Sequence, residues 1–188
     1  YDRDRFAAFF AQLPRTMEAA VRVAMRHDPE RMRGRHAWPE PAPEMALRHC
    51  VEIRHPSFES PDFVALLREH DIGAVVADTA GKWPLLTEAT SGVVYIRLHG
   101  DEELYVSGYG DQALDAWARR IRAWADAGHD VYCYFDNDVK VHAPFDAHAL
   151  MRKLGADVPE HVPDVRRART RLPFEARRDT PAGLRRRS

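Results

Sequence analysis

Apolar and polar positions along this chain follow two alternating periods. The run Val93-Val94-Tyr95-Ile96-Arg97-Leu98-His99-Gly100 is β-branched and apolar, then ends in Arg, His and Gly. A strand covered on both faces reads this way where it runs out into a loop. Val51-Glu52-Ile53-Arg54-His55 and Val131-Tyr132-Cys133-Tyr134-Phe135-Asp136-Asn137-Asp138 repeat the pattern, and Ala74-Val75-Val76-Ala77-Asp78 ends in a carboxylate. Strands are therefore expected at His49–His55, Ala74–Asp78, Val93–Leu98 and Val131–Phe135, all four buried on both faces. Pro56 stops the first, because its ring removes a ladder donor.

Between these runs the period lengthens to that of a helix. Asp2 to Gln12 presents Phe6, Phe9, Phe10 and Leu13 on one side. Beyond Pro14, Met17 to Arg26 presents Ala19, Ala20, Val23 and Ala24, with Thr16 at its start. Ser60-Pro61-Asp62 is a strong helix start: a capping hydroxyl, a proline in the first turn, then an acid favoured by the helix dipole. That helix runs to about His70, with Phe63, Leu66 and Leu67 inward. Thr79 to Gly92 is short for a crossover and is expected to hold a turn or two of helix. Asp111 is expected to cap a helix with Leu114, Trp117, Ala118, Ile121 and Ala125 on its apolar stripe, ended by Gly128. Asp146 is expected to start a last helix, with Ala149, Leu150 and Leu154 inward and Gly155 at its end.

Strand–helix–strand–helix units build a parallel sheet with right-handed crossovers. Four of them fit half of a (β/α)8 barrel, and equally a small open doubly wound sheet. No Gly-x-Gly-x-x-Gly fingerprint, phosphate-binding Walker loop or zinc-type cysteine spacing is present, which weighs against the common nucleotide-binding readings.

Composition changes this picture little. The 188 residues carry 45% hydrophobic and 30% charged positions and a net charge of -1, so bulk charge makes no case for nucleic acid or a membrane surface. No apolar run is long enough to span a bilayer and no signal-peptide pattern opens the chain. A cytoplasmic protein is expected, with Cys50 and Cys133 as small reduced core residues. Two stretches break the pattern. His27 to Ala46 holds Gly34, Pro29, Pro39, Pro41 and Pro43 and reads as a long excursion. After residue 154 the composition turns to Arg, Pro and Asp without periodicity, so residues 155–188 are expected to be a disordered tail. It lacks interleaved aromatics beyond Phe174, and a solvated tail is favoured over a nucleic-acid contact.

Several separate motifs, in order, resemble the YecE-like family, domain of unknown function 72: Glu52-Ile53-Arg54-His55-Pro56-Ser57-Phe58, Asp78, Trp83-Pro84, Arg97-Leu98-His99-Gly100, the Tyr105 to Tyr109 loop, Trp117, Tyr134 to Asp138 and Ala143-Pro144. The resemblance covers residues 1 to 154. It implies a TIM-barrel-type α/β fold of which only the C-terminal half is present, so the chain reads as a fragment, with a missing N-terminal half expected as its partner. The chain departs from the family in the length of the His27 to Ala46 excursion, and in Val141 or His142 where family members often carry Gly. The family's biochemical function is not established.

In such a barrel the C-terminal strand ends meet on one face. That gathers Glu52, Arg54, His55, Asp78, Arg97, His99, Asp136, Asn137 and Asp138 at one rim. The side-chain period of two places Glu52 with Arg54, and Arg97 with His99, on shared faces. Arg54 and Arg97 suit a phosphate or carboxylate, since a guanidinium fork matches oxyanions. His99 with Glu52 or Asp136 suits proton transfer, and a divalent metal is an open possibility. His55, Asp78, Asn137, Tyr105 and Tyr109 complete the candidate substrate-binding set, and Trp83 is a second candidate stacking surface. The structural alternative is an internal network in which Glu52 pairs with Arg54 or Arg97 and no ligand is involved. His27, His36, His129, His142, His148 and His161 read as solvated. If the protein is an enzyme, hydrolysis or rearrangement of a phosphate-bearing substrate, such as a phosphodiester, is favoured. A non-catalytic protein binding an anionic small molecule or nucleic acid is the competing class. A third possibility is a half barrel inert by itself, whose open edges near Val51 and Val131 invite dimerisation.

Overall fold

The computed structural model describes residues 1–26, 28, 30, 31 and 45–157. The expected tail beyond residue 157, the core of the Pro-rich excursion, and His27, His36 and His161 lie outside the described residues.

The order of elements is α1 (Arg3–Phe10), α2 (Met17–Ala24), β1 (His49–Val51), a 3-10 turn at Pro56–Phe58, α3 (Pro61–Glu69), β2 (Ile72–Asp78), β3 (Val93–Leu98), α4 (Asp111–Asp126), β4 (Asp130–Phe135) and α5 (Ala143–Leu154). The strands form one sheet in the order β1-β2-β3-β4, every pairing parallel. Helix starts follow local chemistry. Asp2, Thr16 and Ser60 each accept from a backbone N–H of the first turn, which satisfies a donor the helix cannot.

The helices pack on one side of the sheet in two clusters. Phe10, Ile53, Phe63, Leu66, Leu67, Ile72 and Ala74 fill the space behind β1 and β2. Val76, Val94, Ile96, Leu98, Leu114, Trp117, Ile121 and Leu150 fill the space behind β3 and β4. Leu66, Leu67, Ile96 and Leu98 are fully buried, so this layer is the core that holds the strand ends in place.

The other side of the sheet is partly open, which corrects the expectation of strands buried on both faces. Only β2 is covered along nearly its whole length. On β4 exposed and half-buried positions alternate, leaving Tyr132 and Tyr134 in solvent. Cys50 is likewise exposed on this face, not a core residue; Cys133 packs against the core. Arg48, just before β1, reaches Asp130 and donates to the Tyr132 hydroxyl on β4. Three strand spacings would separate β1 from β4 by about 14 Å if the sheet were flat. The bridge therefore requires the sheet to curl towards its open face.

Other local expectations are also corrected. Thr79 to Gly92 forms no helix: Trp83 N bonds back to Thr79 Oγ1, and Thr90 Oγ1 accepts from Ala74 N and donates to Ile72 O. The segment is tied down by side chains on the first of its residues and on Thr90, so it needs no helical ladder. Gly110, not Asp111, is the N-cap of α4, and α5 starts at Ala143, three residues before Asp146. β1 is only three residues long, and beyond it Glu52 and Arg54 make side-chain contacts. Phe9 and Val23 are exposed although they belong to the expected apolar faces, and Ala125 is exposed on α4. Among the described residues no helix is long and apolar enough to cross a membrane.

Candidate functional site

Arg97 is the hub of the strand-end cluster. Val93, Tyr95 and Arg97 alternate with Val94, Ile96 and Leu98 along β3, and the second set belongs to the core, so the first faces the open side. Arg97 Nη1 lies 2.5 Å from Glu52 Oε2 and Nη2 lies 2.6 Å from Asp136 Oδ2. Its Nε donates to the same Asp136 oxygen at 2.9 Å. Arg54 Nε donates to the remaining Glu52 oxygen at 2.8 Å. Asp136 is pinned at the end of β4 by its own N–H, which donates to Leu98 O at 2.8 Å. Three strand ends thus meet in one chain of opposite charges.

The network sets the protonation states. Burial pulls the Glu52 carboxyl upward, but its hydrogen bonds to Arg97 and Arg54 outweigh this and hold it below its usual range. For Arg97, burial opposes the charged form, and Glu52 and Asp136 overcome that and raise it further. Glu52 and Arg97 are therefore ionised at neutral pH.

His99 is different in kind. It is fully buried, and among the described residues neither ring nitrogen makes a hydrogen bond. Its Nδ1 is 3.5 Å from Asp136 Oδ2, an electrostatic approach without hydrogen-bond geometry. Burial first, then the Arg97 charge, lower its pKa, against the pull of Asp136 and Glu52, so the ring is neutral at pH 7. Tyr105 covers it edge-on with ring centres 5.1 Å apart, and Tyr105 N bonds to His99 O. That loop holds its shape through Ser107 Oγ, which accepts from the N–H groups of Glu102 and Glu103. Gly100 makes the turn possible at φ 130°, since a Cβ there would collide with Glu103 O.

The remaining sequence candidates lie elsewhere. Asp78 follows Ile72, Ala74 and Val76 on the helix side of β2, where its Oδ2 accepts from Tyr109 OH at 3.2 Å. Burial raises its pKa, only partly offset by that hydrogen bond. Tyr109 is buried in the core, and its hydroxyl also accepts from Gly100 N. Asn137 is buried, with Nδ2 donating to Ser107 O and to Asp146 Oδ2. Asp78, Tyr109 and Asn137 are thus interior supports of the loops around His99, away from the charge network. His55 closes a local turn: its Nδ1 accepts from Ser57 N. Asp138 is exposed. His129 and His142 are not solvated as expected. His129 Nδ1 contacts Ser91 O at 3.0 Å, and His142 packs against Gly108. His148 is half-buried and partnered as well.

Three relationships escape the sequence reading. Asp146 is buried and accepts from Tyr109 N and Asn137 Nδ2; it read as a helix start because Asp is common there. Trp83 was singled out as a stacking surface, but not its occupant: Arg54 Cζ lies 4.3 Å from the ring centre, with Lys82 Nζ at 4.9 Å. Tyr95 and Tyr134 stack at 5.1 Å on the open face, a cross-strand pair that only the register Arg97↔Tyr134 reveals. Among the described residues no three His, Cys, Asp or Glu side chains converge with metal-binding geometry. Pronounced clefts also lie away from these charges, one of about 690 Å³ between Phe10, Leu13, Leu47 and His70.

Solved structures share part of this fold. A crystal structure of a DUF72 family protein from Enterococcus faecalis matches with TM-score 0.56 and 17% identity, over 62% of this chain and 52% of that one. A DUF72 family protein from Thermotoga maritima matches with TM-score 0.51 and 25% identity, over 57% of this chain and 45% of that one. The chain thus spans about half the length of these structures. No curated protein matches it. The family described as "Protein of unknown function DUF72" matches residues 2–170. With four parallel strands and the strand-end motifs in place, the chain belongs to the DUF72 family.

Proposed function

We propose that this chain supplies half of a barrel-mouth active site that acts on a phosphate-bearing substrate, with His99 and Asp136 moving the proton and Glu52 fixing the arginines. The observation that carries this reading is His99: a fully buried imidazole with both nitrogens unbonded among the described residues, facing a carboxylate. Buried polar atoms without partners are costly and rare, and they concentrate where chemistry uses them. A neutral imidazole is also the form that accepts a proton. The rest of the rim would come from further strands pairing with the open edges of β1 and β4, the N-terminal half expected from the sequence.

A second reading is a binding protein without turnover. It is favoured by the fact that Glu52 and Asp136 already neutralise Arg97, which leaves an internal network needing no reaction. The two readings separate in the intact protein. Thermal shift with sugar phosphates, nucleotides, short single-stranded DNA and divalent ions identifies a ligand, because ligands of the native state raise its melting temperature. Turnover is then followed on that ligand and on a chromogenic aryl phosphodiester. Loss of turnover in His99→Gln with retained thermal shift supports the enzyme. Binding with no turnover in the wild type supports the binding protein. No shift with any compound would sink both.

A further inference from the structure

We infer that the anion-binding subsite of this mouth is the flank formed by Lys82, Trp83 and Arg54, and that it takes a phosphate group. The inference rests on the reading above and moves the anion away from Arg97.

Arg97 has little left to offer. Its Nε, Nη1 and Nη2 all contact carboxylate oxygens, at 2.5 to 2.9 Å. An incoming anion there would meet two resident carboxylates and have to displace one. Arg54 is bound through Nε alone to a Glu52 whose other oxygen belongs to Arg97. Its side chain is 51% exposed. Lys82 is exposed and has no carboxylate within ion-pair distance among the described residues. Three cations therefore face two carboxylates, and the surplus positive charge sits around Trp83.

The flank is built rather than incidental. Arg54 and Lys82 both lie within 5 Å of the same indole centre, at 4.3 and 4.9 Å. Two like charges drawn to one ring repel each other, and each is held by the ring quadrupole. An anion bound at this ring would relieve that repulsion. The turn that presents Lys82 and Trp83 is fixed: Lys82 N donates to Thr79 O at 3.1 Å, and Trp83 N donates to Thr79 Oγ1 at 3.0 Å. Thr79 itself is buried. Ala80 and Gly81 carry the turn at φ 51° and 74°. A guanidinium and an ammonium gathered on one ring carry two positive charges, which match a doubly charged phosphate more closely than a singly charged carboxylate.

The test titrates the intact protein with inorganic phosphate and a nucleoside monophosphate, read by tryptophan fluorescence and thermal shift. Phosphate should raise the melting temperature and change the emission. Trp83→Phe should abolish the emission change. Lys82→Ala should weaken phosphate binding at least tenfold with the unliganded melting temperature unchanged, and Lys82→Arg should restore most of it. Full phosphate affinity in Lys82→Ala, together with its loss in Arg97→Met, would overturn the assignment of the flank and leave the mouth reading standing. No binding of either probe by the wild type would overturn both.

Discussion

Arg97 on β3 and Glu52 just beyond β1 meet at 2.5 Å across the intervening strand, although 45 positions separate them in the chain. Glu52 is only 15% exposed, so Arg97 is what makes its charge tolerable there. Removing one member of such a pair strands the other. Arg97→Ala should therefore destabilise the protein by roughly 1–3 kcal/mol, and Glu52→Gln by less, since an amide retains the shape and an acceptor. Urea denaturation of both single variants and the double variant gives the coupling directly. Additive losses would show that the pair does not interact in solution.

The lowered pKa of His99 has a pH signature. Its folded pKa lies below the ordinary value of 6.5, so the unfolded chain binds more protons than the folded one between the two values. The contribution is fully present above about 6.5 and is lost as pH falls through that window. Burial first, then the Arg97 and Arg54 charges, push in this direction, whereas Asp136 and Glu52 oppose it. In His99→Gln the stability–pH curve should flatten below pH 6.5 while the Glu52 decline at lower pH remains. An unchanged curve would mean that the imidazole titrates normally.

Asp78 should behave with the opposite sign. Burial raises its folded pKa above the unfolded value of 3.8, so its contribution is present below that value and is lost as pH rises through the folded pKa. Asp78→Asn keeps an acceptor for Tyr109 OH and removes the buried charge. Its stability at pH 7 should equal or exceed that of the wild type. Tyr109→Phe instead strips the partner from Asp78 and from Gly100 N, and should cost about 1–3 kcal/mol. Chemical denaturation at pH 7 ranks the two.

Val141 sits at φ 62°, a left-handed backbone that a β-branched residue adopts only under strain. Val141→Gly should therefore stabilise the protein by about 1 kcal/mol, offset in part by glycine's freedom when unfolded. This is also the region where the sequence resemblance leads one to expect glycine. A fall in melting temperature would show that the valine side chain contributes more than its backbone costs.

The elements were legible for local reasons. Val93 to Leu98 and Pro61 to Glu69 carry their periods and caps in a few adjacent residues, so the expected and observed limits nearly coincide. The motif order from Glu52 to Pro144 was specific enough for family membership. Thr79 to Gly92 is not the expected helix because Thr79 Oγ1 ties back Trp83 N locally, and Thr90 bonds Ile72 and Ala74 on β2, partners that lie 16 to 18 positions away. Asp146 read as a helix start, whereas its partners Tyr109 and Asn137 are 37 and 9 positions away.

The same division runs through the site. The sequence by itself determined which groups arrive at the strand ends, because a period of two and a parallel sheet put Glu52, Arg97, His99 and Asp136 at one rim whatever their neighbours do. Only the tertiary structure decided which of them meet. Asp78 turned to the helix side with the register of β2, Asn137 sank into the loops beneath, and Arg54 lay on Trp83 while sharing Glu52 with Arg97. Those outcomes depend on strand order, curl and long-range packing, and each is set by distances between segments that no local window of sequence contains.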